Sequence, residues 1–194
     1  MVCVDSSHAV GKTDGCRTKS AARRNANTDR KMGANTMKTA EMATQALDLL
    51  IQHEKVIGRL YAAYAERFPQ DREFWLSLSE EEDHHAECIE SLRPRIESDP
   101  SGMIVARFPA AAIEHSVAHV NRLIDQAEHS HLTRVKALTA AMDIETALLD
   151  NRYFEVFAGD SPPLRRTLEA LEQGTRTHLQ KVRQLWGSAG RSKA

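Results

Sequence analysis

Apolar residues recur at alternating three- and four-residue steps along four stretches of the chain, a spacing that places side chains on one face of an α-helix. Three predicted helices span about residues 40–68, 72–97 and 132–158, and a fourth begins after the segment Asp160–Pro163. Pro69 ends the first helix because proline cannot continue one. An aspartate followed closely by proline is typical of a helix start. The pattern therefore predicts an all-α fold.

Each predicted helix has one inward face built mainly from large apolar residues. In chain order the four faces are Leu47, Leu50, Glu54, Ile57, Tyr61, Tyr64 and Phe68; Trp75, Leu78, Glu82, His85, Ile89 and Leu92; Val135, Leu138, Met142, Glu145, Leu149 and Tyr153; and Leu164, Leu168, Leu171, Thr175, His178, Val182 and Leu185. Five ionisable residues interrupt these faces near the middle. An isolated buried charge is costly, so the five groups need either mutual pairing or a bound metal ion.

The connection between the second and third helices is too long for a tight antiparallel turn. It contains a turn at 99–102, an extended segment at 103–109 and a predicted extra helix at about 110–128. Up-down bundles use short loops throughout, whereas ferritin-like bundles need a long crossover at this point. The connection therefore favours a ferritin-like four-helix bundle with a long crossover, containing an extra helix, between the second and third helices.

Residues 1–36 differ from the rest of the chain. They show no apolar periodicity and carry seven Lys/Arg against three Asp among many small polar residues. Such a composition is typical of a disordered tail, and we expect Met37 to be the true start of the protein. Residues 37–194 are then expected to form one domain, since their number suits a single hydrophobic core.

Composition narrows the expected partners and location. The net charge of −1 and the pI of about 6.8 provide no basic surface for phosphates or anionic lipids, so we expect neither nucleic acid nor a membrane as partner. Cys3, Cys16 and Cys88 form no Cys-x-x-Cys pair, which argues against a disulfide framework or a rubredoxin-type iron site. These features predict a cytoplasmic protein.

Helix 72–97 contains two overlapping Glu-x-x-His pairs, and this spacing sets a carboxylate and an imidazole on one helix face, as in di-iron carboxylate bundles. Glu82 and His85 share the face of the large apolar residues, whereas Glu81 and His84 share theirs with serines. We therefore predict that Glu82 and His85 are metal ligands, and that Glu81 and His84 are solvated or contact the ligands from outside.

Two segments resemble the rubrerythrin family. The first helix has a Glu seven residues before a Tyr, at Glu54 and Tyr61, and the segment Leu78–Ala86 is similar to the family's Leu-Ala-x-Glu-Glu-x-x-His-Ala. The last two helices look like the second half of the same internal repeat. Glu145 stands in place of Glu54, and the step from Leu171 to His178 repeats that from Leu78 to His85. The resemblance covers about residues 40–187.

The resemblance implies a non-haem iron protein with peroxidase or ferroxidase activity. Its substrate would be peroxide or dioxygen, its electrons would come from an external donor, and the protein would be a homodimer. Glu82 and His85 would anchor one iron ion, Glu145 and His178 would approach the other, and Glu54 would cap or bridge them.

The chain departs from the family pattern at Thr175, where the repeat has a glutamate three residues before His178. The remaining donors suffice for one firmly held iron and a second, weaker one. The alternative is a degenerate ferritin-like bundle that binds or senses a single metal ion, or serves as a structural module, without catalysis.

Two other features have simpler explanations than a site. His115 and His119, and the segment Glu128–His131, have chelating spacings but are expected to face solvent. Tyr61 is expected to fill space between helices, and a hydrogen bond to a metal ligand is its alternative role.

Overall fold

The computed structural model describes residues 17–99, 110–150 and 162–191, and all regular elements in these ranges are helical. They are α1 (Arg17–Arg67), a short 3-10 helix (Pro69–Asp71), α2 (Arg72–Glu90), α3 (Arg93–Ser98), α4 (Ala110–His129), α5 (Arg134–Asp150) and α6 (Pro162–Arg191). The all-α prediction is confirmed. No described helix is both long and apolar enough to cross a membrane.

The chain divides into two units, Met1–Lys38 and Thr39–Ala194. The first contains the beginning of α1, which starts at Arg17 and not near residue 40 as predicted. Residues 17–38 are rich in Ala, Arg, Lys and Met, which favour a helix without producing an apolar stripe. From Arg17 onward the expected tail is thus helical, while residues 1–16 lie outside the described residues.

Helices α1 and α2 form an antiparallel pair. Pro69 ends α1 as predicted, and the 3-10 helix reverses the chain. The Ser79 hydroxyl donates a hydrogen bond to the carbonyl of Gly58 (2.9 Å), and the rings of Tyr61 and Trp75 lie 5.6 Å apart. The inward faces predicted for both helices are buried, so their rotational register is the predicted one.

The second predicted helix is broken. A single helix is expected over 72–97, but α2 ends at Glu90 and α3 begins at Arg93. Pro94 causes the break because its nitrogen cannot donate to the carbonyl four residues earlier and its ring clashes with the preceding turn. The hydroxyl of Ser91 donates to the carbonyl of Cys88 (2.6 Å) at the break.

Helix α4 is the predicted extra helix, and it runs parallel to α1. His53 Nε2 lies 2.8 Å from the Ser116 hydroxyl, and further along both helices Arg67 donates to the carbonyl of Ser130 (3.0 Å). The direction of α4 therefore returns the chain to the end of the molecule where α2 starts. The extended segment expected at 103–109 lies outside the described residues.

Helices α2 and α5 run in the same direction. Asp71, just before α2, accepts two hydrogen bonds from Arg134, the first residue of α5, at 2.5 and 2.8 Å. Further along, Glu82 and Glu145 both lie near His178 of α6. Two helices that meet at their first residues and again near their middles must be parallel.

The buried face of α5 is rotated from the predicted one. Val135 is 52 % exposed, which contradicts its predicted place in the core. The buried residues are Ala137, Leu138, Ala141, Ile144, Glu145 and Leu148. The small side chains of the alanines let α5 approach its neighbours closely. A prediction that follows the spacing of large apolar residues does not detect buried alanines. Tyr153 lies outside the described residues.

Helix α6 begins at Pro162, as predicted from the proline-rich entry. Its predicted face is buried at Leu168, Leu171, Thr175, His178 and Val182, while Leu185 is partly buried. The helix packs against both α5 and α2. The rotational position of α6 therefore directs His178 into the space between these helices.

Candidate metal centre

All five ionisable residues predicted as metal ligands are buried. They are Glu54 on α1, Glu82 and His85 on α2, Glu145 on α5, and His178 on α6. We call these residues the Glu/His cluster. Four helices are therefore needed to build it, and each helix directs a polar side chain from its apolar face.

Glu82 lies between the two histidines. Its Oε2 is 2.9 Å from Nδ1 of His85, and its Oε1 is 3.0 Å from Nδ1 of His178. The two imidazole rings are stacked, with centroids 5.1 Å apart and an angle of 27° between their planes. Each oxygen of one carboxylate thus faces a different imidazole nitrogen.

The other two glutamates lie on opposite sides of this arrangement. Glu54 Oε2 is 3.8 Å from Nδ1 of His85, and Glu145 Oε1 is 3.6 Å from Nδ1 of His178. The Glu/His cluster therefore consists of two halves that share Glu82. Each half has one imidazole nitrogen, one oxygen of the shared carboxylate and one further glutamate.

Two carboxylate oxygens of the Glu/His cluster are buried without a hydrogen-bond partner among the described residues, Glu54 Oε1 and Glu145 Oε2. Leaving a buried acceptor unsatisfied costs about 1–3 kcal/mol, and more for a charged group. A cation bound between the two halves would satisfy such oxygens. The residues present therefore fit a metal ion.

The glutamates have unequal pKa values. Burial raises the pKa of Glu54 to about 8, although the nearby imidazole of His85 opposes the shift. Burial also raises the pKa of Glu145, although the nearby imidazole of His178 opposes the shift. Burial acts in the same direction on Glu82, but hydrogen bonds with His178 and His85 outweigh it and lower its pKa to about 2. Glu82 is therefore the firmly ionised member.

Both histidines of the Glu/His cluster carry a second ring proton, and therefore a positive charge, at neutral pH. Burial lowers the pKa of both, but the interactions of His85 with Glu54 and Glu82 outweigh it and raise the pKa of His85 to about 9. Interactions with Glu145 and Glu82 likewise raise the pKa of His178 to about 11. In the metal-free protein the positive imidazoles thus neutralise Glu82, and a metal ion has to displace these protons in order to bind.

The donors of Glu82, His85 and His178 lie within 4.8 Å of one another, which is close enough for one ion to contact all three. Two imidazole nitrogens and a carboxylate suit several first-row transition metals, including iron. This cluster could hold a metal ion, and the donor set does not select one metal.

Tyr61 connects the core to the Glu/His cluster. Its hydroxyl donates a hydrogen bond of 2.6 Å to Glu145 Oε1, and its ring is fully buried against Trp75. Both roles considered from the sequence are therefore present, because Tyr61 fills space and also holds a candidate ligand.

Three residues near the candidate ligands have the environments that the sequence indicates. Thr175, at the position where the family pattern has a glutamate, is buried and shares the inward face of α6 with His178. Glu81 lies outside the cluster and contacts Nε2 of His178 at 2.9 Å. His84 is exposed and lies 3.8 Å from Glu87.

Sequence reasoning missed Gly174, which shapes the site. A Cβ atom at this position would lie 2.8 Å from Cε1 of His85 and closer still to Nε2. The ring of His85 therefore occupies the place that any other residue's side chain would need. The periodicity of the sequence cannot predict that glycine is required at this position, because the requirement depends on the distance between α2 and α6.

His53 was also missed. It is buried beside Ser116, and burial lowers its pKa to about 4 despite the opposing charge of Glu82. His53 faces α4 and not the Glu/His cluster, so we assign it to packing. The histidine pairs expected at the surface, His115 with His119 and His129 with His131, are exposed as predicted.

No known protein-family profile matches this chain, and no characterised protein or solved structure matches it either.

Proposed function

We propose that this chain is a ferritin-like protein that binds non-haem iron at the Glu/His cluster and reduces peroxide or dioxygen there. The observation that carries the proposal is the pairing of each imidazole Nδ1 with one oxygen of Glu82 and with a further glutamate. Each half offers one imidazole nitrogen and two carboxylate groups to a cation, and the two halves share Glu82. This arrangement suits two adjacent cations better than it suits a purely structural ion pair.

The topology supports the ferritin-like part of the proposal. An up-down bundle would make its second and third long helices antiparallel, whereas a crossover makes them parallel. The ion pair between Asp71 and Arg134, together with the approach of Glu82 and Glu145 to His178, makes α2 and α5 parallel. Helix α4 runs in the direction that such a crossover requires.

In this function Glu54 and His85 would hold one iron ion, Glu145 and His178 would hold the other, and Glu82 would bridge them. Bound iron supplies the electron transfer to the oxidant. Buried apolar side chains around the cluster exclude water, which strengthens the electrostatic interactions inside it. The Tyr61 hydroxyl orients Glu145 and carries a proton beside its carboxylate.

The remaining parts of the proposed function follow from the resemblance to rubrerythrins. We propose a cytoplasmic homodimer. Its electrons would come from an external donor, because the sequence has no Cys-x-x-Cys pairs for a rubredoxin-type iron site. The 2-His-1-carboxylate donor set also occurs at single-iron oxygen-activating sites, which is consistent with redox chemistry.

A second candidate function is a single-metal module without catalysis. Thr175 favours it, since this position is buried in the face of α6 but carries no carboxylate. Only Glu82, His85 and His178 form a compact donor group among the described residues, and three donors are enough for one ion. This candidate predicts one tightly bound ion and no turnover.

Metal analysis of protein purified without a histidine tag tests both candidates. Anaerobic Fe(II) titration should give two ions per chain for the redox enzyme and one for the single-metal module. Peroxide consumption with a chemical reductant then separates catalysis from storage. Glu82→Gln should lose binding, whereas Glu80→Gln, which changes an exposed neighbour, should not. A wild-type protein that binds no metal would show that both candidates are wrong.

A further inference from the structure

The outward-facing nitrogens of the two cluster histidines have different surroundings. Nε2 of His178 lies 2.9 Å from Oε2 of Glu81, a residue outside the Glu/His cluster. Nε2 of His85 instead lies beside Gly174 on α6, where a Cβ atom would meet it. The two histidines present the same nitrogen, Nδ1, to Glu82 but are held in place by different means.

Glu81 is itself firmly held. Lys181, one turn after His178 on α6, donates to both oxygens of Glu81 at 2.6 and 2.8 Å. The hydroxyl of Ser77, one turn earlier on α2, donates to Oε1 at 3.0 Å. Together with the contact to Nε2 of His178, these hydrogen bonds engage both carboxylate oxygens and fix the orientation of Glu81.

A carboxylate at Nε2 has a specific effect on an imidazole. It keeps the proton on Nε2, so the lone pair of the neutral ring is on Nδ1, and it makes that lone pair a stronger donor. The ring is also prevented from rotating, because rotation would break a charge-assisted hydrogen bond. On the Nε2 side of His85, the part of the chain that the structure describes shows a steric restraint at Gly174, which fixes the position of the ring but does not select its tautomer.

We propose that Glu81, held by Lys181, is a positioning residue that keeps Nδ1 of His178 directed at the cluster and makes the His178–Glu145 half the first to take up a divalent transition-metal ion. The inference rests on the proposed metal binding but not on iron or on redox chemistry. Its test therefore uses Zn²⁺, which has no redox activity and prefers imidazole and carboxylate donors.

The first measurement is the affinity for Zn²⁺, by competition with a chromophoric chelator, for the wild type and the variants Glu81→Ala and Glu81→Gln. Loss of a carboxylate that supports a metal-bound imidazole typically costs 10–100-fold in metal affinity, so we expect that loss for the first ion in Glu81→Ala. Glu81→Gln keeps an acceptor oxygen but removes the charge, and its loss should be smaller. Glu80→Ala, at an exposed position one residue earlier, is the matched control and should bind as the wild type does.

The second measurement reports the tautomer directly. Long-range ¹H–¹⁵N correlations of ¹⁵N-histidine protein with one equivalent of Zn²⁺ distinguish a ring bound through Nδ1 from one bound through Nε2, with the signal assigned from His178→Gln. We expect Nε2–H and bound Nδ1 for His178 in the wild type and in Glu81→Gln. A mixture of tautomers is expected in Glu81→Ala. A purely structural role for Glu81 would lower the melting temperature without changing this signature.

Three results would overturn the inference. One is an unchanged first-ion affinity and tautomer in Glu81→Ala. Another is an equal loss in Glu80→Ala, which would indicate a general charge effect. A third is first occupancy of His85 in the wild type. In all three cases the wild type still binds Zn²⁺, and the metal-binding proposal stands. Absence of Zn²⁺ binding in the wild type would overturn both proposals together.

Discussion

Replacing Gly174 with alanine tests the geometry of the site, because the added methyl group would occupy space that the ring of His85 fills. The added Cβ would lie 2.8 Å from Cε1 of His85 and closer still to Nε2, whereas carbon atoms pack at about 3.5–4.0 Å. The conflict therefore approaches 1 Å. Helix α6 must move away from α2, or the imidazole must leave its place beside Glu82.

Both outcomes destabilise the protein. Overpacking a core costs about 1–3 kcal/mol, and breaking a hydrogen bond to a charged group costs about 1.5–3 kcal/mol. Alanine gains about 1 kcal/mol over glycine within a helix, which offsets part of either cost. We expect a net loss of up to about 2 kcal/mol in the free energy of unfolding, together with loss of tight metal binding because Nδ1 of His85 is displaced.

Gly187 provides the matched control on the same helix. A Cβ there would meet no atom within 4 Å, so Gly187→Ala should show only the gain in helix propensity. Urea unfolding of the metal-free proteins gives the stabilities, and competition with a chelator for Zn²⁺ gives the affinities. If Gly174→Ala were as stable as Gly187→Ala and bound metal as the wild type does, the assigned position of His85 would be wrong.

Three further predictions concern the ligands and the N-terminal segment. His85→Ala should abolish tight iron binding while His84→Ala leaves it nearly intact, because only His85 is buried, and equal losses in an Fe(II) titration would contradict this assignment. If the second iron is held weakly because position 175 carries no carboxylate, Thr175→Glu should raise the number of tightly bound irons toward two, at a stability cost of about 1–3 kcal/mol in the metal-free form. A wild type that already binds two irons tightly would show that Thr175 is no defect. A chain beginning at Met37 should melt at the same temperature as the full chain in calorimetry, and a loss of several degrees would show that the removed segment stabilises the fold.

Metal binding should also depend on pH in a defined direction. The pKa values of about 9 for His85 and about 11 for His178 lie above the ordinary 6.5, so both rings carry a proton at pH 7 that bound metal excludes. Affinity should therefore rise with pH from 7 to 9, and binding at pH 7 should release protons. Calorimetry in two buffers of different ionisation enthalpy measures this release, and identical heats would refute the assigned protonation.

The sequence could predict which residues face the core because burial follows the 3.6-residue period. The inward positions predicted for α1, α2 and α6 are therefore correct, and the period also identifies the five members of the Glu/His cluster as inward-facing residues. The period is less informative where small residues pack. On α5, Ala137 and Ala141 are buried while the larger Val135 is exposed, so side-chain size is a poor guide to rotation there.

Other features depend on distances between helices and have no sequence pattern. The hydrogen bond from Tyr61 to Glu145 joins residues 84 positions apart, and the requirement for Gly174 arises only because α2 and α6 approach closely. The break before Pro94 was predictable in principle, since proline inside a periodic stretch commonly interrupts a helix. The helical start at Arg17 was not, because a helix without an apolar face leaves no period to detect.

The ion pair between Asp71 and Arg134 has a consequence for the alignment of the candidate ligands. Eleven residues separate Asp71 from Glu82, and eleven also separate Arg134 from Glu145. Eleven residues are close to three complete helical turns, a rise of about 16 Å. Because the two parallel helices are joined at the level of Asp71 and Arg134, Glu82 and Glu145 lie at the same height along them. Each glutamate also points in nearly the same direction as the paired residue eleven positions before it. Inserting one residue into either eleven-residue segment would shift the glutamate of that segment by about 1.5 Å along the helix and rotate it by about 100°.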